Sequence, residues 1–137
     1  MYTEIRSVLK EEKKEYKEIL KDVKWEDHFH DNMHYQSANV TVPLTEFPNS
    51  RQSFFVKLPA KIGTLHRHSD SPGNSYIIPI KTNKNRISYW YLDGDTYQTR
   101  SRCLKVGKVY SADRTIEHEA SNTGTTDSIH LVVKMPT

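Results

Sequence analysis

From about Asn39 onward the sequence is a series of short alternating or apolar runs, and turn residues separate one run from the next. Alternation with a period of two is typical of half-buried β-strands. No helical pattern lies between the runs, so parallel strands with crossover helices are not expected. Short antiparallel strands in such number favour a small sandwich or a jelly roll. Eight runs predict strands: NVTVPL, QSFFVKL, NSYIIPI, RISYWYL, TYQTR, CLKV, KVYSA and SIHLVVKM.

The first part of the chain has a different pattern. Residues 3–24 carry apolar side chains at helical spacing, with Lys and Glu on the other face. This pattern predicts one amphipathic helix that packs against the outside of the β-rich part. Asp93-Gly94, between two predicted strands, indicates a tight hairpin. We therefore expect a mainly β domain with a helix over 3–24 and a β core over about 39–135.

Length and composition narrow the class of protein. A chain of 137 residues is long enough for one core, and we expect residues 1–137 to form a single domain. The net charge of +3 comes from mixed signs, which are typical of a solvated helix face and not of a nucleic-acid interface. No apolar run reaches the roughly 20 residues that span a bilayer, and the N-terminus lacks a secretory layout. We expect a cytoplasmic, intracellular protein, and the single Cys103 excludes an intramolecular disulfide.

The most informative run is LHRHSDSPGNSYIIPI, residues 65–80. His66, His68 and Asp70 stand at alternate positions, so in an extended strand their side chains point the same way. His118 provides another imidazole 50 residues downstream of His68. Two histidines and one carboxylate form the facial set that holds non-haem Fe(II) with positions left open. We therefore expect His68, Asp70 and His118 to be the metal ligands and the catalytic centre of an oxygen-using metalloenzyme.

Three stretches, LHRHSDSPGNSYIIPI, YWYLDG and GKVYSADRTIEHEASNTGTTDSIHLVV, resemble the Fe(II)/2-oxoglutarate-dependent dioxygenase superfamily over roughly residues 55–135. The chain is most similar to small aspartyl/asparaginyl β-hydroxylase-like or prolyl-hydroxylase-like members, including short phage-encoded ones. The resemblance implies a double-stranded β-helix, the cupin-like jelly roll. It places His68, Asp70 and His118 at the family's metal ligands and Asn122 at a frequent Asn. It also implies Fe(II), 2-oxoglutarate and O2 as inputs, and succinate, CO2 and a hydroxylated product as outputs.

One position departs from the family pattern. The resemblance implies an Arg that clamps the distal carboxylate of 2-oxoglutarate, and the matching residue here is Ser128. A hydroxyl is a poor replacement for a bidentate guanidinium, so we expect another cation to take this role. Ser128, His130 and Lys134 share strand parity and can line one face together. The candidates for contacts with the co-substrate are Tyr76, Ser128, His130 and Lys134, with Lys57 and Lys81 as other cations.

Two other interpretations stay open. A cupin-type metal site uses His-x-His on one strand and a later histidine, which makes His66, His68 and His118 the ligands and leaves the reaction undefined. Alternatively the histidines are structural. The chain is then a non-catalytic jelly-roll binding module, or a structural component of a phage or virion.

The expected reaction is hydroxylation of a C–H bond in a protein side chain, an amino acid or another small molecule, so the expected partner is a small molecule or a peptide. Specificity should come from the N-terminal segment and the hairpin loops, because the chain has little room for an extra domain. His28, His30 and His34 lie in a polar segment without strand or helix parity, which indicates solvated surface. The sequence does not predict the oligomeric state.

Overall fold

The structure is a computed structural model that describes residues 2–30, 32–70, 74–92, 97–101 and 104–136. No helix in these ranges has the length and apolar character needed to cross a membrane. The described elements are β1 (Tyr2–Ser7), α1 (Lys10–Lys21), β2 (Glu26–His30), β3 (Met33–Asn39), β4 (Gln52–Leu58), β5 (Gly63–His68), β6 (Ser75–Lys81), β7 (Arg86–Leu92), β8 (Tyr97–Ser101), β9 (Lys108–Ala112), β10 (Glu117–Asn122) and β11 (Ser128–Lys134).

The strands form one curled antiparallel sheet in the order β1-β9-β6-β11-β4-β3-β5-β10-β7-β8, with β2 paired to β3. The strands β9-β6-β11-β4 and β5-β10-β7-β8 form the two layers, and β3 joins them. Tyr2 on β1 packs edge-on against Trp90 on β7 with 5.1 Å between ring centroids, so the layers close on each other. The predicted mainly β fold, a jelly roll or double-stranded β-helix, is confirmed.

The layer that contains β11 is buried on both faces. Leu131 and Val133 join the core that packs under helix α1 through Tyr16, whereas Val132 belongs to the core between the two layers. Burial on both faces explains why the sequences of β6 and β11 are nearly continuous apolar runs. Each fully buried aliphatic side chain stabilises the fold by roughly 1.5–3 kcal/mol because it leaves water.

The N-terminal helix is shorter than predicted. Residues Tyr2–Ser7 form β1, which pairs with β9, and α1 covers only Lys10–Lys21. Ile5, which the helical spacing assigned to a buried stripe, is 49% exposed. The partner strand lies about 100 positions further along the chain, so this pairing overrides a local helical pattern.

The polar segment around His28, His30 and His34 is also extended. It forms the antiparallel hairpin of β2 and β3, and β3 continues into the sheet by pairing with β4. The prediction that this segment is an irregular solvated connection is therefore wrong. Pairing with β4, and not local alternation, holds these residues in the extended conformation.

Two predicted strands are wrong, and β10 is a further strand that the sequence runs did not predict. In NVTVPL the chain leaves the sheet after Asn39, because Pro43 has no amide hydrogen for a ladder and Val42 is 53% exposed. In CLKV the described residues 104–106 form no strand. Conversely β10 was not among the predicted strands, because its sequence EHEASN is polar on the outer face. Cys103 and the Asp93-Gly94 turn lie outside the described residues.

A buried carboxylate joins β1 to helix α1. Glu12 is 1% exposed and accepts hydrogen bonds from the Leu9 amide at 2.9 Å and from the Tyr16 hydroxyl at 2.6 Å. Arg6 on β1 donates to the same carboxylate, with Nη2 at 3.2 Å. Burial alone raises the pKa of Glu12, but the hydrogen bonds from Arg6, Leu9 and Tyr16 lower it below its usual value.

We expect Glu12→Gln to lower the free energy of unfolding by about 2–4 kcal/mol, because it leaves Arg6 without its buried counter-charge. Urea denaturation followed by circular dichroism measures this change. Glu11→Gln, one position earlier on the exposed side of the same helical turn, is the matched control and should change stability by less than about 0.5 kcal/mol. Equal effects of the two substitutions would contradict this account of the N-terminus.

Candidate metal centre

Two neighbouring strands bring His68, Asp70 and His118 to one point. His68 is the last residue of β5, Asp70 follows it closely, and His118 lies opposite His68 in β10. Asp70 Oδ1 is 3.9 Å from His68 Nε2, and Asp70 Oδ2 is 3.6 Å from His118 Nε2. One donor atom from each residue lies within 4.8 Å of the other two. The structure thus places together the three side chains that the sequence indicated.

A bulge determines which residue of β5 meets His118. The β5–β10 ladder shifts register next to His118, so that β5 holds one residue more than its partner there. An unbroken ladder would put Arg67 opposite His118, and His68 would then face outward. With the bulge, His68 faces the interior and Arg67 forms an ion pair with Glu117.

The donor atoms of these three residues fit a divalent metal ion. Bonds of about 2.1 Å put neighbouring ligand atoms of an octahedral metal about 3.0 Å apart. The separations of 3.6 and 3.9 Å are wider by under about 1 Å, which side-chain rotation can close. His118 Nε2 is buried and has no hydrogen-bond partner among the described residues, whereas the buried Asp70 Oδ2 lies 3.0 Å from Nε of Arg114. A metal ion at this point would give His118 Nε2 the partner that it lacks.

Backbone carbonyls fix the tautomer of both histidines. His68 Nδ1 donates a hydrogen bond to the carbonyl of His66 at 2.7 Å, and His118 Nδ1 donates to the carbonyl of Ile116 at 2.7 Å. A carbonyl oxygen only accepts, so Nδ1 carries the hydrogen and Nε2 keeps its lone pair. Both Nε2 atoms face Asp70, and this is the arrangement that metal-binding imidazoles need.

Burial keeps the His118 imidazole neutral. The side chain is 8% exposed, and its ring lies 4.9 Å from that of Trp90. Burial lowers the pKa of His118 to about 4; the hydrogen bond to Ile116 raises it, and the charges of His68 and Arg114 lower it. Because metals bind the neutral form, His118 needs no deprotonation at neutral pH.

Arg114, which was not among the predicted site residues, lies beside the three candidate ligands. Its Nε is 3.0 Å from Asp70 Oδ2, and its side chain is 11% exposed. Its carbonyl oxygen accepts a hydrogen bond from the Asp70 amide at 2.9 Å. The sequence signal was weak: a basic residue in the turn that precedes β10.

A cavity of about 320 Å³ opens beside Asp70. Lys134, at the end of β11, borders the cavity and has no ion pair within the described ranges. Burial lowers the pKa of Lys134; the charge of Asp70 raises it, and those of Arg114 and Arg51 lower it. The remaining wall combines polar residues such as Ser37 and Asn39 with apolar ones such as Phe54 and Val56.

The predicted co-substrate residues separate into two groups. Ser128, His130 and Lys134 share the interior side of β11, but only Lys134 of these three borders the cavity. Ser128 and His130 are buried deeper in the jelly roll. Tyr76 packs against Phe47 with 5.3 Å between ring centroids, in the core under helix α1. Strand parity thus turns the Tyr76 hydroxyl away from the cavity, contrary to the prediction.

The other lysines considered do not border the cavity either. Lys57 lies on the opposite side of β4, with Nζ 4.1 Å from the centre of the Trp25 ring. Lys81 is exposed at the end of β6. Arg86 on β7 is a further buried cation inside the fold, and its guanidinium donates to the Ser88 hydroxyl. Of the three lysines considered, Lys134 is therefore the one that borders the cavity beside the candidate metal ligands.

One histidine of the β2–β3 hairpin reaches the cavity. His28 borders it, stacks on Tyr35 at 4.4 Å between ring centroids, and lies 2.9 Å through Nε2 from the Ser37 hydroxyl. This corrects the expectation that His28 is solvated surface. His30 is exposed, and His34 stacks with an exposed Phe29 away from the cavity.

The residues of the cupin-type alternative are arranged less favourably. His66 is exposed at the edge of the cavity, and the metal-binding group found among the described residues does not include it. Asn122 is fully buried and donates hydrogen bonds to the carbonyls of Leu58 and Thr126, both at 2.9 Å. Asn122 therefore stabilises the turn after β10, and it lies about 13 Å along the strand from His118.

No family model matches the chain, and no curated protein matches it in sequence. Solved structures share its fold. A 2OG-Fe(II) oxygenase family protein from Burkholderia pseudomallei is similar with a TM-score of 0.75, over 97% of this chain and 84% of that one, at 8% identity. SnoK, a non-haem α-ketoglutarate-dependent carbocyclase from nogalamycin biosynthesis, gives a TM-score of 0.66 over 98% and 79% of the two chains at 12% identity.

The same fold occurs in a protein with a different description. The CENP-C cupin domain of Drosophila melanogaster has a TM-score of 0.58 over 82% of this chain and 75% of that one, at 9% identity. Similarity at such identities establishes the fold alone. The jelly roll is thus shared with 2OG-Fe(II) oxygenases and with cupin domains, and the side chains of the site have to decide between them.

His130 allows a test of the buried interior. Burial, and then the charge of Arg86, lower the pKa of His130 well below its usual value. As the pH falls below about 6.5 the unfolded chain binds a proton here and the folded protein does not, so the free energy of unfolding falls. We expect His130→Leu to reduce this fall between pH 7.5 and 5.0 by up to about 2 kcal/mol in urea denaturation. The exposed His30→Leu is the control, and an unchanged pH dependence in His130→Leu would contradict the assignment.

Proposed function

We propose that this protein is an Fe(II)- and 2-oxoglutarate-dependent oxygenase that hydroxylates a C–H bond, of the small hydroxylase-like kind that its sequence resembles. The observation that carries the proposal is the group formed by His68, Asp70 and His118, with one donor atom of each within 4.8 Å of the others. The buried His118 Nε2, which has no hydrogen-bond partner in the described structure, supports a metal at this point.

The chemical nature of the ligands supports ferrous iron. Two neutral imidazoles and one carboxylate on one side of a metal leave positions open for a co-substrate and O2. When bound, iron and 2-oxoglutarate supply the activation of O2 that hydroxylation of a C–H bond requires. The protein's part is to hold His68 and His118 in the tautomer that presents Nε2 and to keep water from the inner face through Trp90. The expected cytoplasmic location fits this role, since reducing conditions maintain ferrous iron.

The charge of the cavity supports an anionic co-substrate. Arg114 and Lys134 contribute two positive charges against the single carboxylate of Asp70, and a divalent metal adds more. 2-Oxoglutarate is a dianion that chelates a metal at one end and carries a free carboxylate at the other. In this proposal Lys134 binds the free carboxylate and so replaces the Arg that is absent at Ser128.

The size of the cavity supports a small substrate. A volume of about 320 Å³ is at the lower end of ligand sites, which span about 300–1,000 Å³. After 2-oxoglutarate is bound, the remaining space suits an amino acid, one side chain of a peptide or another small molecule. His28, Ser37 and Asn39 on the β2–β3 hairpin form the wall that the substrate would contact. We propose that residues 1–137 act as one domain and that this hairpin determines specificity.

The first experiment is anaerobic titration of the purified protein with Fe(II), with bound metal measured after desalting. We expect one Fe(II) per chain, and at least a tenfold loss of affinity in His118→Ala and in Asp70→Ala, because each removes a ligand. His66→Ala is the matched control and should keep wild-type affinity. A strong loss in His66→Ala with a normal Asp70→Ala would favour the cupin-type site. No uptake by the wild type would favour a non-catalytic binding or structural module.

A second experiment tests the co-substrate. Adding 2-oxoglutarate to the Fe(II) protein without O2 should produce a visible charge-transfer band, and its titration gives a dissociation constant. We expect Lys134→Met to weaken binding about 10- to 100-fold, since a charge-assisted bond contributes roughly 1.5–3 kcal/mol. Lys57→Met, on the opposite side of β4, should leave binding unchanged. If Arg86→Met weakens binding and Lys134→Met does not, the buried Arg86 takes the role instead. Absence of the band with bound iron would contradict use of 2-oxoglutarate.

A further inference from the structure

We propose that Arg114 is the positioning residue that holds Asp70 in place as a metal ligand. The inference rests on the proposed metal site and adds to it a residue outside the ligand group. Arg114 holds Asp70 by its side chain and by its backbone: Nε is 3.0 Å from Asp70 Oδ2, and the Arg114 carbonyl accepts the Asp70 amide at 2.9 Å.

Asp70 depends on such a contact because it lies beyond its strand. β5 ends at His68, so no ladder hydrogen bonds fix the backbone that carries Asp70. His68 and His118 have strand partners on β5 and β10, and backbone carbonyls fix their rings. Asp70 therefore has the least support from secondary structure of the three candidate ligands, and Arg114 contacts it at both levels.

The turn that carries Arg114 is itself held in shape. Asp113 accepts a hydrogen bond from the Thr115 amide at 3.1 Å and another from the Thr115 hydroxyl at 2.5 Å. These bonds lower the pKa of Asp113 below its usual value, so the carboxylate stays charged at neutral pH and keeps the turn closed. Arg114 lies between these two residues, three positions before the start of β10, which carries His118. The same short segment thus connects two of the three candidate ligands.

Arg114 has two opposing effects on a metal ion. Its positive charge repels a divalent cation and competes for Asp70, which would weaken metal binding. Its contact with Oδ2 fixes the carboxylate and leaves Oδ1 turned toward His68, which favours metal binding. The charges of Arg114 and Asp70 already offset each other before the metal arrives, so the half-buried carboxylate is stabilised beside His68 and His118. We therefore infer that positioning outweighs repulsion.

The test measures metal affinity and the geometry of the bound metal. Anaerobic titration with Co(II), which substitutes for Fe(II) and has visible d–d bands, gives both an affinity and a coordination signature. We expect Arg114→Ala to weaken Co(II) binding about 10- to 100-fold, as for other residues that orient a metal ligand, and to change the relative intensities of the bands. Arg114→Lys keeps the charge without the planar guanidinium and should lie between the wild type and Arg114→Ala.

The matched control is Arg67→Ala. Arg67 also forms an ion pair with a carboxylate near the β5–β10 junction, but with Glu117 and on the outer side of the layer. This variant loses the same charge, an ion pair and a contact with the Tyr91 ring, and it should bind Co(II) like the wild type with unchanged bands. Circular dichroism shows whether each variant is folded. If Arg114→Ala does not fold, the Co(II) affinity and bands of Arg114→Lys are compared with those of Arg67→Ala, and weaker binding in Arg114→Lys alone supports the positioning role.

The outcomes separate the inference from the proposed function. If the wild type binds no metal, the proposed function fails and the metal-positioning role fails with it. If the wild type binds Co(II) and Arg114→Ala binds it equally or more tightly with unchanged bands, Arg114 is only a competitor for Asp70. The positioning role is then overturned and the metal site remains.

Discussion

The extra residue that β5 carries opposite His118 is the constraint on which the site depends. In a strand, a shift of one residue turns every later side chain to the other face. The bulge confines this shift to the last part of β5. The side chain of Leu65 therefore still points inward, and the side chain of His68 now points inward as well. Both border the cavity, although their separation in sequence would put them on opposite faces of a regular strand. Without the bulge Arg67 would face His118, and no pair of imidazoles would form.

The N-terminal strand supports the site through a series of aromatic contacts. Tyr2 on β1 packs edge-on against Trp90, and Trp90 packs against the ring of His118. The Tyr2 hydroxyl also lies 3.1 Å from that of Ser88, two residues before Trp90 on β7. These contacts exclude water from one side of His118 and contribute to the burial that lowers its pKa. β1 therefore both extends the sheet at β9 and encloses a candidate metal ligand.

How much of this could be predicted depended on how local each interaction is. The jelly roll followed from short alternating runs without helices, and the spacing of His68 and Asp70 identified two candidate ligands. β1 and the β2–β3 hairpin were assigned wrongly because β1 pairs with β9 and the hairpin with β4, and such pairings leave no periodic signal in the segment itself. The bulge that turns His68 inward and the turn that brings Arg114 to Asp70 depend on the register between distant strands. No local pattern in the sequence indicates either of them. Tyr76 was misplaced for a simpler reason: its strand is apolar on both faces, so the sequence did not show which face is inward.

If Lys134 binds the free carboxylate, as proposed, the geometry expected of the co-substrate changes. Ser128 and Lys134 are the first and last residues of β11, about 20 Å apart along the strand. The inward-facing side chains of Ser88 and Trp90 lie on β7 between the candidate ligands and Arg86. Trp90 is 1% exposed and packs against Tyr2. The open space lies on the side of β3 and β4, where Lys134 borders it. Under the proposed function the co-substrate would therefore extend along the mouth of the jelly roll, and the β2–β3 hairpin would contact both it and the substrate.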